Sequence, residues 1–322
     1  MMNISKKLNK VGKRLSLINR RSMELSHNFN IKLGIYEWER SLFPDPKYTI
    51  GKHAHIKTHQ YVKKRLEKEF SNLIDSYQGT QKVERILPNA PIWIFWWQGL
   101  DSAPDVVKKC VETIKENSGG HPINLVTKEN YKDLVHLPDN ILKKLEIGNI
   151  TLTHFSDILR MALLYEYGGI WMDCTLFMTS RLPANLLDYS FYTIRHGMYS
   201  DYHVCQGKWT GFFLVMSKGN PLAKFCRDMF YEYWKKYDKL MCYLLIDVVM
   251  LIAYDKFTWA RLQIDQVPVN NVRVFELQSL LNKKYDEQFF RTLIKSTTIF
   301  KLSYKGQIIN KKGTFASVLN VI

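Results

Sequence analysis

The chain has 322 residues, of which 46% are hydrophobic and 13% aromatic, so an intrinsically disordered protein is excluded and one catalytic domain with additions fits the length. Its 46 basic and 30 acidic residues give a net charge of +16, which favours an anionic partner: nucleic acid, an anionic lipid surface or a diphosphate-bearing substrate. The five scattered cysteines include no Cys-X-X-Cys pair and indicate neither a disulfide framework nor a zinc site, so we expect a cytoplasmic protein.

Residues 1–85 are predicted to form a helical extension, which the proline-containing segment 43–46 divides into two parts. The first part is basic and amphipathic. This pattern is typical of a helix that lies on an anionic membrane surface, and a solvated or partner-packing helix is the alternative. No uninterrupted apolar segment follows the charges, so we expect no signal peptide. The apolar positions are Ile4, Leu8, Val11, Leu15 and Ile18, and the basic ones are Lys6, Lys7, Lys10, Lys13, Arg14, Arg20 and Arg21.

Residues 86–322 are predicted to form an α/β domain. The apolar run 92–97 is a predicted strand, followed by a helix that opens near Ser102 with Pro104 in its first turn. Residues 123–126 are a second predicted strand and residues 140–145 a further helix. This alternation predicts parallel strands joined by right-handed crossovers.

A capped helix and a buried strand are predicted between residues 156 and 172. Ser156 is the expected N-cap, and Asp157 places negative charge in the first helical turn. Gly168 and Gly169 are expected to end the helix, because glycine accepts a positive φ. Their missing Cβ atoms would also let a ligand approach the backbone closely. The chain then turns into the apolar strand 170–172.

Asp173 follows this strand at its carboxyl end, where α/β sheets bind ligands, so it is placed to hold a metal ion or a polar substrate. Arg160 lies three residues beyond Asp157 and on the same side of the helix. The alternative is that Asp173 starts a turn and Asp157 completes a cap, but the clustering favours a site. Cys174 has no base at a matching spacing and is expected to pack as a small apolar residue.

These segments resemble a known family. Ser156-Asp157-Ile158-Leu159-Arg160, followed by Tyr167-Gly168-Gly169-Ile170-Trp171-Met172-Asp173-Cys174-Thr175, is similar to the capsular polysaccharide synthesis proteins of bacteria, sugar transferases related to glycosyltransferase family 32. The resemblance extends to segments 92–99, 217–222 and 301–305 and covers about residues 85–310. It implies one nucleotide-sugar-transferase domain of the GT-A type, a Rossmann-like mixed sheet flanked by helices, behind the helical extension.

The resemblance also implies an activity. A hexosyltransferase of this kind moves a sugar from a nucleotide-diphosphate donor, with a UDP-sugar as the first candidate, to a growing lipid-linked capsular or surface polysaccharide repeat unit, with retention of configuration. Asp173 would hold the divalent metal ion, Mn²⁺ or Mg²⁺, that neutralises the leaving diphosphate. Besides Asp173, the catalytic candidates are Asp157, Arg160 and Asp247. The candidates for donor binding are Trp97, Gln98, Gly99, Ser156, Gly168, Gly169, Thr175, Lys301 and Lys305.

The chain departs from related nucleotide-sugar transferases at one point. They usually carry Asp-X-Asp where this chain has Asp173-Cys174-Thr175. A hydroxyl is a weaker ligand for a hard cation than a carboxylate, although the capsular family itself commonly has Thr at this position. A catalytically weakened assembly scaffold is therefore an alternative function.

Asp247 lies at the centre of an apolar stretch, residues 240–254, that is shorter than the roughly 20 residues a membrane span needs and is predicted to be a buried core helix. A buried acid is costly unless it is paired or functional. Asp247 is thus either a hydrogen-bonded structural residue or a site residue that supports a metal, contacts the acceptor or acts as the base of an inverting enzyme. Trp96, Trp97 and Trp209 are candidates for stacking a sugar or base, with core packing as the alternative.

Two further functions stay open. A nucleic-acid-binding protein would explain the charge, but the charge is spread along the chain without a recognised binding motif, so we expect no nucleic-acid partner. A glycosidase would use Asp173 and Asp247 as its pair of carboxylates. The basic N-terminus favours a peripheral position on the inner face of the plasma membrane, where a lipid-linked acceptor would lie.

Overall fold

The structure, a computed structural model, describes residues 2–45, 47–197 and 202–321. The side chains of residues 2–8 and of Lys10 lie outside this description, as does Pro46 of the predicted break in the extension. The predicted roles of Ile4, Lys6, Lys7, Leu8 and Lys10 therefore fall outside the described residues.

The predicted helical extension is confirmed. Its helices are α1 (Met2–Asn28), α2 (Ile31–Leu42), α3 (Thr49–Glu69) and α4 (Ser71–Asp75), and the break between α2 and α3 falls at the predicted segment. The first two pack as an antiparallel hairpin, in which Gly34 allows close contact because an added Cβ would lie 1.9 Å from Ser26 Oγ. Within α1, Ile18 and Leu25 are buried, whereas Val11 and Leu15 are exposed.

The extension is bonded to the rest of the protein. Arg21 Nη2 donates a hydrogen bond of 2.7 Å to the carbonyl oxygen of Leu240. Arg65 Nε donates to the Tyr237 hydroxyl at 3.2 Å. The predicted boundary between residues 85 and 86 stays a prediction.

The predicted α/β architecture is confirmed as a mixed sheet flanked by helices. The five-stranded sheet has the order β2-β1-β3-β6-β5, and β4 and β7 form a separate antiparallel pair. Strand β1 runs parallel to β2 and β3, whereas β6 runs antiparallel to β3 and β5, so the parallel prediction holds for the first three strands. The strands are β1 (Ile92–Phe95), β2 (Ile123–Val126), β3 (Gly169–Met172), β4 (Leu176–Met178), β5 (Phe191–Thr193), β6 (Phe213–Met216) and β7 (Ile299–Lys301).

Helices cover the sheet, and the side chains of β3 and β6 are buried along their whole length, as expected for strands covered on both faces. The helices after β1 are α5 (Asp105–Glu116), α6 (Tyr131–Leu134), α7 (Asp139–Glu146), α8 (Leu152–Tyr167), α9 (Pro221–Lys236), α10 (Leu245–Lys256), α11 (Thr258–Asp265), α12 (Glu276–Leu280), α13 (Glu287–Ser296) and α14 (Phe315–Val318), with a 3₁₀ turn at Ala184–Asp188.

Three predicted boundaries were wrong. Strand β1 ends at Phe95, and Pro104 is the N-cap of α5 rather than a first-turn residue. Helix α10 begins only at Leu245, so Asp247 lies in its first turn and not at the centre of a longer helix. The buried Tyr233 explains this delay, because its hydroxyl donates to Lys239 O at 2.7 Å and accepts from Met241 N at 2.9 Å, which ties the preceding segment into a turn.

Candidate active site at the end of strand β3

Helix α8 begins five residues earlier than predicted. Thr151 is its N-cap, and its hydroxyl accepts a hydrogen bond of 3.3 Å from His154 N. Ser156 therefore lies inside the helix and caps nothing, and Asp157 lies in the second turn rather than the first. The fully buried Phe155 continues the apolar face upstream of Ser156, and the helix therefore begins earlier in the chain. The place of Ser156 in a donor site stays a prediction.

Gly168 and Gly169 end α8 with φ values of +68° and +112°, as predicted. They lie at the amino end of β3, about 13 Å along the strand from Asp173, so the structure does not bring them to that carboxylate, and their contact with a donor stays a prediction. A Cβ on Gly169 would lie 2.3 Å from Pro91 O, and one on Gly168 would lie 2.5 Å from Lys218 N. The two glycines thus permit close backbone packing of β3 against its neighbours.

Asp173 follows β3, and its backbone N–H donates to Phe212 O at 3.0 Å. The side chain is 28% exposed. Its Oδ1 accepts a hydrogen bond from Trp171 Nε1 at 3.1 Å, and its Oδ2 accepts one from Lys301 Nζ at 2.9 Å. Burial raises the pKa of this carboxyl, but the charges of Lys301 and Arg160 outweigh that effect and hold it below its usual range, so Asp173 is ionised at neutral pH.

Arg160 joins two carboxylates of the site. Its Nη1 lies 3.2 Å from Asp157 Oδ1, and its Nη2 lies 3.4 Å from Asp173 Oδ1, so the two residues that the spacing placed on one side of the helix form an ion pair. The side chain is buried, and its guanidinium lies 4.8 Å from the centre of the Trp171 ring. A Cβ on Gly211 would lie 3.1 Å from Nη1, so this glycine leaves room for the guanidinium. Arg160 is therefore held from several sides.

Lys301 reaches Asp173 through the pairing of β4 with β7. Leu176 lies opposite Lys301 in this pair, and Leu302 N donates to Thr175 O at 2.8 Å. The Lys301 ammonium donates to the hydroxyl of Thr175 as well as to Asp173. Lys305, predicted at the same site, is instead exposed, and its ammonium lies over the ring of Tyr304 at 6.0 Å from the centre.

Asp247 lies beside this charged group. Its Oδ1 accepts a hydrogen bond of 2.8 Å from Trp209 Nε1. Burial raises the pKa of Asp247 to about 6, the Trp209 bond opposes that rise and the charge of Asp157 adds to it. Trp209 is fully buried, so its predicted role in stacking a sugar was wrong and its indole positions the carboxyl instead.

The loop after β1 opens at the same edge of the sheet as Asp173. Trp97 packs at 5.7 Å from the rings of both Tyr131 and Phe155, which gives it the packing role left open above. Gln98 is exposed, and Gly99 takes a φ of +80° in the turn that follows. Their contact with a donor stays a prediction.

Two exposed tyrosines flank the charged group, and the sequence reasoning missed them as site residues. Tyr304 is 43% exposed and meets the ring of Trp96 at 5.4 Å. Tyr243 is 62% exposed, and its pKa is raised by burial and, less strongly, by the charges of Asp157 and Asp173. The signal available in the sequence was a tyrosine within the run 240–254, but its apolar neighbours suggested a core helix.

Cys174 is buried, and its thiol donates to Phe95 O at 2.9 Å. Burial raises the pKa of this thiol, so the thiolate that a nucleophile needs is disfavoured. The predicted structural role fits this contact between the ends of β3 and β1.

The donor set does not fit a divalent cation at Asp173 in this arrangement. Within the described residues no group of three or more His, Cys, Asp or Glu side chains is placed to hold a metal ion. Both Asp173 oxygens already accept hydrogen bonds, and the Thr175 hydroxyl accepts one from Lys301. Two unit cations about 4 Å apart in a partly buried site repel by about 4 kcal/mol, and a divalent ion doubles this. Metal binding by Asp173 stays a prediction, and no step below depends on it.

Together these residues define an α/β protein with a charged, partly open site at the carboxyl end of a central strand, suited to a polar, anionic substrate. Residues 46–321 match the capsular polysaccharide synthesis protein family, and the chain belongs to this family. The predicted resemblance is thereby confirmed, and membership supports a role in capsular polysaccharide synthesis.

Among solved structures, the PaToxG glycosyltransferase is similar with a TM-score of 0.38 and 16% sequence identity, over 65% of this chain and 80% of that chain. Likeness at this level does not identify a shared activity. No curated protein matches the chain.

Proposed function

We propose that this protein is a glycosyltransferase of the GT-A type that moves a sugar from a nucleotide-diphosphate donor to a growing, lipid-linked capsular or surface polysaccharide repeat unit. A UDP-sugar is the first donor to test. Family membership supports the polysaccharide part of this proposal. The observation that carries the transferase part is the pair of cations, Lys301 and Arg160, that Asp173 holds at the carboxyl end of β3.

The chemistry needs positive charge at this position. When the bond between the sugar and the diphosphate breaks, negative charge develops on the departing oxygen. Fixed cations in a partly buried site stabilise that charge more than mobile ones in water, because their orientation is already set. Asp173 and Asp157 keep Lys301 and Arg160 in place and are themselves positioning residues in this scheme.

Asp247 is the proposed contact for the acceptor hydroxyl. Its raised pKa makes it a better proton acceptor than an ordinary aspartate, and it is ionised at neutral pH. Retention of configuration is proposed from the resemblance alone. In an inverting enzyme Asp247 would be the general base, so the anomer of the product separates the two schemes.

We further propose that the basic first helix brings the enzyme to the inner face of the plasma membrane, where a lipid-linked acceptor is embedded. Val11, Leu15 and Leu17 are exposed on α1, and Lys13 and Arg14 are exposed beside them. Within the described residues, no helix is both long enough and apolar enough to cross a membrane.

A thermal-shift screen tests the donor site. Purified protein is heated with UDP, GDP, CMP and common UDP-sugars, with and without manganese, alongside Asp173→Asn. We expect one nucleotide to raise the unfolding midpoint of the wild type and to have little effect on the variant, because Asp173→Asn removes the carboxylate that holds Lys301 and one of the two that hold Arg160. A wild type that responds to no nucleotide under any condition would contradict the proposal.

A two-carboxylate glycosidase is the second candidate, because the site pushes two carboxyl pKa values apart: that of Asp173 is lowered and that of Asp247 is raised to about 6. Such an enzyme would hydrolyse an oligosaccharide without any nucleotide. Release of reducing ends from capsular oligosaccharides by the wild type alone would favour it. If neither activity is found and no nucleotide binds, the assembly scaffold becomes the leading interpretation.

A further inference from the structure

The Lys301 ammonium occupies the position predicted for a metal ion. The predicted metal ligand was Asp173, and Thr175 stands where related transferases have a second carboxylate. Lys301 Nζ lies 2.9 Å from Asp173 Oδ2 and donates to the hydroxyl of Thr175 as well. One cationic nitrogen therefore binds both oxygens that the sequence offered to a divalent cation.

This ammonium is built into the fold rather than carried by a loose surface side chain. Leu176 and Lys301 are partners in the β4–β7 pair, and Lys301 N donates to Val274 O at 2.8 Å. The Phe212 ring lies under the ammonium, with its centre 5.3 Å from Nζ. The Lys301 side chain is still 24% exposed, so a ligand can reach it.

The ammonium also has capacity for one more partner. A lysine ammonium has three N–H donors, and Asp173 and Thr175 accept two of them. Lysine is a compact point charge that binds phosphate well. Arg160 adds a second fixed positive charge, because its Nη2 lies 3.4 Å from the other oxygen of Asp173, Oδ1.

We propose that Lys301 takes the part of the divalent cation, so that its ammonium contacts the donor diphosphate and the enzyme binds and uses its donor without a metal ion. This inference rests on the proposed glycosyltransferase function. In the transfer, the bond between the sugar C1 and the diphosphate oxygen breaks and both electrons go to that oxygen. The acceptor oxygen bonds to C1, and its hydroxyl proton passes by way of Asp247 to the departing diphosphate.

Nucleotide affinity with EDTA and with manganese tests this proposal. Isothermal titration of the wild type with UDP, and with GDP and CDP in parallel, should give dissociation constants that agree within about twofold between the two conditions. Lys301→Met should weaken binding of the diphosphate at least tenfold in EDTA. It should leave binding of the free nucleoside unchanged, because uridine has no phosphate for the ammonium to contact. Manganese should restore part of the loss, since the variant frees Asp173 Oδ2.

Two further variants control for folding. Lys301→Arg retains the charge and should keep EDTA-resistant binding, whereas Lys295→Met removes an exposed lysine of α13 and should behave as the wild type. Thermal unfolding midpoints of all variants show whether a loss of binding reflects a loss of fold.

The outcomes separate the two proposals. Wild-type binding that EDTA abolishes and manganese restores would overturn the role of Lys301 and leave the glycosyltransferase standing. Lys301→Met that binds the diphosphate as well as the wild type in EDTA would also overturn it. If no nucleoside diphosphate binds in either condition, the glycosyltransferase proposal itself fails.

Discussion

Trp209 Nε1 donates a hydrogen bond of 2.8 Å to Asp247 Oδ1, so a fully buried indole fixes a carboxyl group at the edge of the charged site. The bond stabilises the ionised carboxylate, but burial has the larger effect and brings the pKa to about 6. Asp247 therefore changes charge in a range where Asp173, whose pKa is lowered, is already ionised.

The first prediction concerns stability and pH. Asp247 has a folded-state pKa of about 6 against an ordinary value of 3.8, so the folded protein binds more protons than the unfolded chain between these values. Its contribution to stability is fully present below about pH 3.8 and is lost, by at most about 3 kcal/mol, as the pH rises through about 6. Asp247→Asn should remove this slope. Urea unfolding of both proteins between pH 4 and 7 measures it, and parallel profiles would contradict the prediction.

The second prediction compares two hydroxyls of α8. Thr151→Ala removes the N-cap and should lower the free energy of unfolding by about 1 kcal/mol. Ser156→Ala, inside the helix, should change it by less than about 0.5 kcal/mol. Chemical denaturation of the two variants decides between the caps, and a larger loss in Ser156→Ala would restore the original assignment.

The third prediction separates backbone packing from ligand contact at the start of β3. Gly169→Ala combines a φ of +112° with a Cβ 2.3 Å from Pro91 O, so we expect a loss of about 3 kcal/mol or more. The matched control is Gly148→Ala, which has a φ of +77° and open space around the new Cβ, and should lose about 1–2 kcal/mol. Equal losses in denaturation would show that the contact with Pro91 is unimportant.

The fourth prediction concerns the membrane. Leu15→Asp replaces a side chain that is 41% exposed on α1 and should weaken sedimentation with phosphatidylserine vesicles about tenfold or more, since burying a leucine contributes about 2 kcal/mol. Leu262→Asp changes a leucine that is 58% exposed on α11 and should bind as the wild type. Binding should also fall with salt and be weak on phosphatidylcholine. Equal effects of the two substitutions would argue against α1 as the contact.

Local patterns predicted the parts of the site that lie close together in the chain. The strand before Asp173, the glycine stop at Gly168 and the pairing of Asp157 with Arg160 all follow from spacings of a few residues. The cap was misplaced because several residues that can cap a helix precede the apolar face, and only the packing of Phe155 selects Thr151.

The contact between Lys301 and Asp173 was beyond local reasoning. The resemblance pointed to Lys301 and Lys305 alike, and nothing in their spacing distinguishes them. Only the register of β4 against β7 directs one ammonium to Asp173 and leaves the other in solvent. Tyr243 was missed for a related reason, since a turn held by Tyr233 replaces the helix that the apolar run suggested.

The distance in sequence between Asp173 and Lys301, 128 residues, has a consequence for biogenesis. A ribosome adds about 5–20 residues per second, so Lys301 is made roughly 6–25 s after Asp173. During this interval the nascent chain contains Asp157, Asp173 and Arg160 but not the lysine that completes their charge balance. The charged site therefore assembles only after the strands of the five-stranded sheet that supports it have been synthesised.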